Sequence, residues 1–352
     1  MKETFIQISG RRIGKGYPVF IIAELSANHL QDFKLAVKTI REMKKAGADA
    51  VKLQTYTPDT ITIDCDNRYF RINQGTLWDG KTLHQLYRQA YMPWEWQPKL
   101  KKNAEGLGLI CFSSPFDKTA VDFLKKMGTP AYKVASFEIT DIPLIEYIAS
   151  QQKPVIISTG IAERGDIQQA LDACARMGNK NIALLKCTSA YPSPLDKVNL
   201  NAIPVLQKMF KPAVIGLSDH TLGIAVPAAA VALGARIIEK HFILERSLGG
   251  PDAKFSLEPA EFSDMVKSIR EVEKALGSRS LALSKEVAKS RNFARSLFAV
   301  ADIAKGEILT EENIRSIRPG NGLSPKMFQR VIGKRARRHI RRGTPLRREL
   351  IY

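Results

Sequence analysis

Cysteine is scarce in this chain. Only Cys65, Cys111, Cys174 and Cys187 occur among 352 residues, none in a CxxC pair. That spacing builds no disulfide framework and points to a reducing cytoplasm. Long hydrophobic runs are missing too: no apolar stretch reaches the roughly 18 residues of a membrane span. The opening Met-Lys-Glu-Thr-Phe-Ile-Gln-Ile has no signal-peptide core. Nor does a Gly-rich phosphate turn follow the first strand-like run, where Glu24-Leu25-Ser26-Ala27-Asn28-His29 stands instead. This argues against an open, doubly wound dinucleotide-binding sheet. There is no low-complexity tract.

Acidic residues are in deficit, 35 against 54 Lys and Arg, for a net charge of +19. The excess is uneven: residues 318–352 hold 11 Lys and Arg and one acid, Glu349. Such a region suits nucleic acid, an acidic surface or an anionic small molecule. Apolar residues interrupt the charges between Lys334 and Arg348, and Gly343 and Pro345 mark turns. The pattern predicts a folded strand-and-turn segment with a charged face. It lacks the interleaved aromatics of a single-strand platform.

What is present is alternation. Strand-like runs at 19–25, 50–56, 109–114, 131–136, 154–159, 182–189, 213–219 and 236–242 alternate with helix-like segments. The helices are expected at 32–47, 94–108, 117–128, 141–151, 163–178, 199–210, 222–234 and 258–277. A long polar stretch separates the second run from its helix. Eight βα units imply parallel strands with helical crossovers, closing as an α/β (β/α)8 TIM barrel over residues 1–277. A polar linker, 278–292, then leads to a small β-rich domain, 293–352.

In such barrels chemistry sits at the C-terminal strand ends. Here nearly all of them end in polar groups: Glu24; Lys52 and Gln54; Ser113 and Ser114; Lys133 and Ser136; Ser158 and Thr159; Lys186, Thr188 and Ser189; Asp219 and His220; Glu239 and His241. A single strand-end Lys or His is as often structural as functional. Eight such ends around one rim are not explained by solvation. Period-two alternation puts Lys52 with Gln54, and Glu239 with His241, on one face. Lys and hydroxyl groups together suit phosphate and carboxylate. His220 and His241 end consecutive strands, so with Asp219 and Glu239 they form a candidate divalent-metal site. Among the other three His, only His29, beside the first strand, is a further candidate; His84 and His339 carry little signal. Two turns add Asp252 (in Gly-Gly-Pro-Asp) and Tyr191 (before Pro192) over the rim.

The ordered set of motifs resembles the sialic acid synthase family. It comprises Ala23-Glu24, Asn28-His29, Val51-Lys52-Leu53-Gln54, Ser114-Pro115-Phe116, Tyr132-Lys133-Val134-Ala135-Ser136, Ser158-Thr159-Gly160, Cys187-Thr188, Tyr191-Pro192, residues 216–222, residues 239–242 and Gly250-Pro251-Asp252. The last part, through Arg318-Pro319-Gly320-Asn321-Gly322-Leu323, is similar to that family's antifreeze-like (SAF, β-clip) domain. Leu25, Ser26, Leu30, Ser189 and Ala253 depart from the N-acetylneuraminate synthase pattern and resemble the pseudaminic acid synthase branch.

The resemblance implies condensation of phosphoenolpyruvate with an amino-sugar aldehyde, 2,4-diacetamido-2,4,6-trideoxy-L-altrose in that branch. It implies Mn²⁺, with Mg²⁺ or Co²⁺ as alternatives, on His220 and His241. Lys52, Ser114, Lys133, Ser136, Ser158 and Ser189 would hold phosphoenolpyruvate, Ser189 replacing the usual Asn. Gln54, Tyr191, Glu239, Asp252 and Arg318 would contact the sugar, and Glu24 would orient or deprotonate groups at the reacting centre. A homodimer is implied, each C-terminal domain capping the partner's barrel, with no nucleic acid or membrane as partner. The alternatives are an N-acetylneuraminate or legionaminic acid synthase, a Schiff-base aldolase using Lys133 or Lys186, and a nucleic-acid-binding protein using the basic C-terminus.

Overall fold

The computed structural model describes residues 4–278 and 280–352. Two short strands come first, β1 (Phe5–Ile8) and β2 (Arg11–Gly14), paired as an antiparallel hairpin. Eight parallel strands then form a closed barrel: β3 (Phe20–Glu24), β4 (Ala50–Thr55), β5 (Ile110–Pro115), β6 (Tyr132–Val134), β7 (Val155–Ser158), β8 (Ile182–Cys187), β9 (Val214–Asp219) and β10 (Ile237–His241). The barrel closes where β10 pairs with β3, His241 opposite Glu24.

These segments form strands because both faces are buried, which selects near-continuous apolar runs. Every residue of β3 and β10 is buried. Alternation splits the side chains between two cores. Ile21, Ala23, Val51 and Leu53 face the helical layer. Phe20, Ile22, Ala50 and Phe112 fill the barrel interior. The hairpin packs Ile6, Ile8 and Ile13 into that interior cluster. It seals the N-terminal end, so access is confined to the opposite rim. The hairpin was not expected, since each of its strands is only four residues long.

The helical layer comprises Phe33–Lys45, Gln97–Gly106, Lys118–Lys126, Ile142–Ser150, Arg164–Arg176, Ala202–Met209, Ala225–Ala232 and Pro259–Ala275. Side chains fix several starts: Asp32, Asp117 and Asp141 each accept a backbone N–H of the first turn. Several elements are shorter than expected. The run at 131–136 keeps only Tyr132–Val134 as strand, because the chain turns into a 3-10 segment at Ser136–Glu138. The helix expected over 94–108 opens as a 3-10 turn, Trp94–Trp96, and Pro98 sits in the first turn of the α-helix that follows. The polar stretch after β4 holds two helices that sequence periodicity did not reveal, Pro58–Ile61 and Leu83–Ala90. Capping boxes start both, from Thr57 and Thr82.

Residues 278–352 form a second compact unit. Its sheet pairs β11 (Ser296–Ala299) with β12 (Ile314–Ile317), antiparallel. Its core holds Leu297, Ile303, Leu309, Ile314, Ile340 and Leu346. The Arg-rich segment is folded: Ala336, Ile340, Leu346 and Leu350 are buried while Arg337, Arg338, Arg341 and Arg342 are exposed. The stretch expected to be a linker carries a short helix, Lys285–Lys289, capped by the Ser284 hydroxyl. No helix among the described residues is long and apolar enough to cross a membrane.

Candidate active site

The rim brings opposite charges into direct contact. Lys52 Nζ lies 2.5 Å from Glu24 Oε2 and 2.8 Å from Glu239 Oε1, all three side chains being buried. The Ser26 N–H donates to Glu24 Oε1 at 2.8 Å, and the Ser218 hydroxyl donates to Glu239 Oε1 at 3.1 Å. Burial pulls Lys52 down to about 8, with Glu239 opposing the drop. Burial alone would raise Glu239, but Lys133 and Lys52 outweigh it and bring it down to about 2. At neutral pH the centre therefore holds the Lys52 ammonium against the Glu239 carboxylate. Glu239 Oε2 is buried with no hydrogen-bond partner, and so is available to a ligand hydroxyl.

Beside this centre lies a cluster of anion-binding groups. Lys133 Nζ donates to the Ser158 hydroxyl at 2.7 Å and to the Val134 carbonyl at 2.9 Å. Ser189 donates to Ser136 Oγ at 2.8 Å, and the Ile161 N–H reaches the same oxygen at 3.2 Å. Gly160 makes this possible: a Cβ there would stand 2.2 Å from Ser189 Oγ and 2.5 Å from Ser136 Oγ. Ser114, paired in register with Gln54, has a buried hydroxyl without a hydrogen-bond partner. Ammonium groups, hydroxyls and a backbone N–H converging at a rim suit phosphate and carboxylate.

The two histidines meet, with ring centroids 5.3 Å apart. His220 Nδ1 contacts the Thr188 carbonyl at 3.1 Å. A carbonyl only accepts, so Nδ1 carries the proton and Nε2 presents its lone pair. Burial lowers His220, but Cys187, with its sulfur 3.9 Å from Nδ1, and the Thr188 carbonyl bring it above its ordinary value. His241 is driven well below its ordinary value, first by burial, then by His220, Lys52 and Lys240. Its Nδ1 is buried without a hydrogen-bond partner, 3.8 Å from Asp252 Oδ2. Two imidazole nitrogens with free lone pairs fit a divalent ion, with further positions left to substrate or water.

The expected carboxylate ligands do not join them. Asp219 Oδ2 receives Lys240 Nζ at 2.5 Å and the Thr221 hydroxyl at 2.9 Å. Glu239 commits its Oε1 to Lys52 and Ser218. Alternation explains Asp219: its neighbour His220 turns toward the rim, so Asp219 turns away. Among the described residues no three His, Cys, Asp or Glu side chains are placed to share one ion.

A cavity of about 320 Å³ opens above these groups, lined in part by Ser26, Gln54, Ser136, Tyr191, His241 and Asp252. Tyr191 packs on His220 with ring centroids 4.5 Å apart. Asp252 accepts from the Ala27 N–H at 3.2 Å, and burial raises its pKa. The cavity also contains a residue that sequence reasoning missed, Glu138. Burial pushes its carboxyl up to about 7, with Lys133 pulling the other way, and its Oε2 has no hydrogen-bond partner. The available signal was the continuation Ser136-Phe137-Glu138, just beyond the strand end at which the rim was read.

Other candidates lie elsewhere. His29 is fully buried against Trp96, with centroids 5.8 Å apart, and burial drops it to about 4. It is a packed histidine, outside the residues that line the cavity. Thr159 donates to the Leu185 carbonyl. Lys186 donates to the Cys187 carbonyl and Thr188, and burial lowers its pKa. Arg318 is an exposed residue of the C-terminal unit, directly after β12.

Comparison with known proteins agrees with this geometry. Residues 39–280 match the NeuB family and residues 294–351 the SAF domain. A pseudaminic acid synthase of Campylobacter jejuni subsp. jejuni serotype O:2 is 47% identical over 329 residues, covering 94% of this chain and 95% of that one. A pseudaminic acid synthase of Helicobacter pylori is 47% identical over 330 residues, covering 94% and 96%. An N,N'-diacetyllegionaminic acid synthase of the same Campylobacter serotype is 38% identical over 331 residues, covering 93% and 98%. A solved N-acetylneuraminic acid (sialic acid) synthetase from Leptospira borgpetersenii serovar Hardjo-bovis superposes with TM-score 0.74 at 32% identity, covering 82% of this chain and 95% of that one. The chain belongs to the NeuB family and carries a SAF domain after its barrel.

Proposed function

We propose that this chain condenses phosphoenolpyruvate with 2,4-diacetamido-2,4,6-trideoxy-L-altrose and water, giving pseudaminic acid and phosphate. The observation that carries the reading is the pair of imidazoles, 5.3 Å apart, set beside a cluster of buried Lys and Ser groups at the barrel rim. The choice of sugar rests on the relatives: 47% identity to pseudaminic acid synthases against 38% to a legionaminic acid synthase.

In the reaction a carbon–carbon bond forms between C3 of phosphoenolpyruvate and the sugar's aldehyde carbon, whose oxygen takes up a proton. Water adds at C2 and loses a proton. The C2–O bond of the resulting hemiketal phosphate then breaks, phosphate departs with the electron pair, and the new C2 hydroxyl loses its proton as it becomes the keto group. His220 and His241 would hold a divalent ion, which we take to be Mn²⁺ with Mg²⁺ or Co²⁺ as alternatives, and such an ion when bound would polarise the aldehyde as a Lewis acid. Lys52, Lys133, Ser114, Ser136, Ser158 and Ser189 hold the phosphate and carboxylate and need no reorganisation as charge shifts. Glu24, oriented by the Ser26 N–H and Lys52, takes the proton from the attacking water. Gln54, Tyr191, Asp252 and the free Oε2 of Glu239 hold the sugar hydroxyls and amides.

We assign Arg318 to a sugar contact in a homodimer, where the C-terminal domain of one copy serves the barrel of the other. A cytoplasmic setting fits the four unpaired cysteines. The test is phosphate release from phosphoenolpyruvate with a panel of amino sugars. The reading expects the diacetamido-trideoxy-altrose to give the highest kcat/KM. A preference for N-acetylmannosamine would replace the sugar, and no sugar-dependent release would overturn the activity.

A further inference from the structure

The cavity at the rim has two kinds of lining. Its polar groups include Gln54, Glu138 and Asp252. Tyr56, Ile61, Leu86, Tyr87, Ala90 and Phe116 form an apolar and aromatic wall. Tyr56 joins the parts of this wall, packing edge-on against Tyr87 at 5.6 Å and Phe116 at 5.1 Å between ring centroids. Four of the six residues come from the two helices after β4: Ile61 from Pro58–Ile61, and Leu86, Tyr87 and Ala90 from Leu83–Ala90. A direct contact ties these helices together, His84 Nε2 to Asp59 Oδ1 at 3.0 Å. The wall is therefore a held surface and not a loose loop.

Hexoses are rich in hydroxyls, and a hydroxyl turned onto the Ile61, Leu86, Ala90 and Phe116 part of this wall would lose water with little to replace it. A methyl group there gains burial. Ile61, Leu86, Ala90 and Phe116 offer no side-chain donor or acceptor.

We propose that this wall seats the C6 methyl of the sugar, so that Ile61, Leu86 and Phe116 select a 6-deoxy substrate. The inference rests on the function proposed above and adds to it the residues that read the deoxy position. The same chemistry is available from the methyl of an acetamido group, and the test separates the two sources.

The experiment compares kcat/KM of the unmodified enzyme for four sugars: the diacetamido-trideoxy-altrose, its 6-hydroxy counterpart, the 6-deoxy sugar with a free 4-amino group, and N-acetylmannosamine. A methyl-sized difference in an apolar pocket is worth about 10–200-fold. We expect the 6-hydroxy sugar to be at least about tenfold poorer than the 6-deoxy sugar. In Ile61→Ser that ratio should shrink, with KM for phosphoenolpyruvate unchanged, while Ile61→Val should keep it. A ratio below tenfold in the unmodified enzyme would overturn the assignment. A penalty on the 4-amino sugar alone would also overturn it, moving the seat to the acetamido methyl. Turnover of N-acetylmannosamine with none of the trideoxy sugars would instead remove the proposed function on which the inference stands.

Discussion

Replacing Lys240 by Met tests how the two histidines are held. Lys240 is opposite Asp219 in the β9–β10 register, and the two residues immediately precede His241 and His220. The Lys240 side chain is 0% exposed and that of Asp219 2%. Lys240 Nζ donates to Asp219 and also to the Thr221 carbonyl. Removing the ammonium leaves a buried carboxylate that keeps only the Thr221 N–H and hydroxyl as donors. Breaking a buried pair from one side costs about 3–5 kcal/mol. The two surviving donors place this case near the lower end, at about 3 kcal/mol. Adding Asp219→Asn removes the stranded charge and should recover about half of the loss.

The assay is urea unfolding of chelator-treated protein followed by tryptophan fluorescence. Trp78, Trp94 and Trp96 are the chain's three tryptophans and all lie in the barrel unit, so the signal reports that unit alone. Omitting metal avoids stabilisation by a bound ion. A loss below about 1 kcal/mol in the single variant, or a double variant no more stable than the single, would refute the reasoning.

His220→Ala should abolish metal-dependent turnover and Mn²⁺ binding by calorimetry while leaving the circular dichroism spectrum unchanged. Near-normal activity in metal-free His220→Ala would contradict the assignment. Gly160→Ala should raise KM for phosphoenolpyruvate at least about tenfold, because its Cβ displaces the Ser136 and Ser189 hydroxyls; an unchanged KM would dissolve the proposed anion cluster. Glu138 should make stability fall with rising pH. Its carboxyl is raised from 4.5 to about 7, so it binds its proton more tightly folded than unfolded. That contribution is full below about pH 4.5 and is lost as pH rises through about 7. With partial exposure it amounts to about 2 kcal/mol. Glu138→Gln should flatten the slope in this window, and an unaltered slope would count against the buried-acid reading.

The barrel was legible because buried parallel strands demand apolar runs and helices demand caps, both of which are local patterns. Val214–Asp219 and Ile237–His241 were readable as strand ends delivering His220 and His241. The hairpin formed by Phe5–Ile8 and Arg11–Gly14 was not, because its stability comes from Ile6, Ile8 and Ile13 entering a barrel built from distant residues. The helices after β4 announced themselves only through the capping residues Thr57 and Thr82. At the site, residue type located the charges but not their partners. Asp219 and Glu239 looked like metal ligands until pairing across strands gave each a lysine. Gly160 stood in the sequence as part of a motif, and its reason, the close approach of two serine hydroxyls, is a three-dimensional one.

Condensation by this chain requires cleavage on the carbon side of the phosphoenolpyruvate C–O bond. It is tested most directly by supplying phosphoenolpyruvate labelled with ¹⁸O at the bridging oxygen, together with the diacetamido-trideoxy-altrose, and analysing both products by mass spectrometry. The label should leave entirely in phosphate, and the nine-carbon keto acid should carry none. Label retained in the keto acid, or a lysine adduct trapped by borohydride, would contradict it.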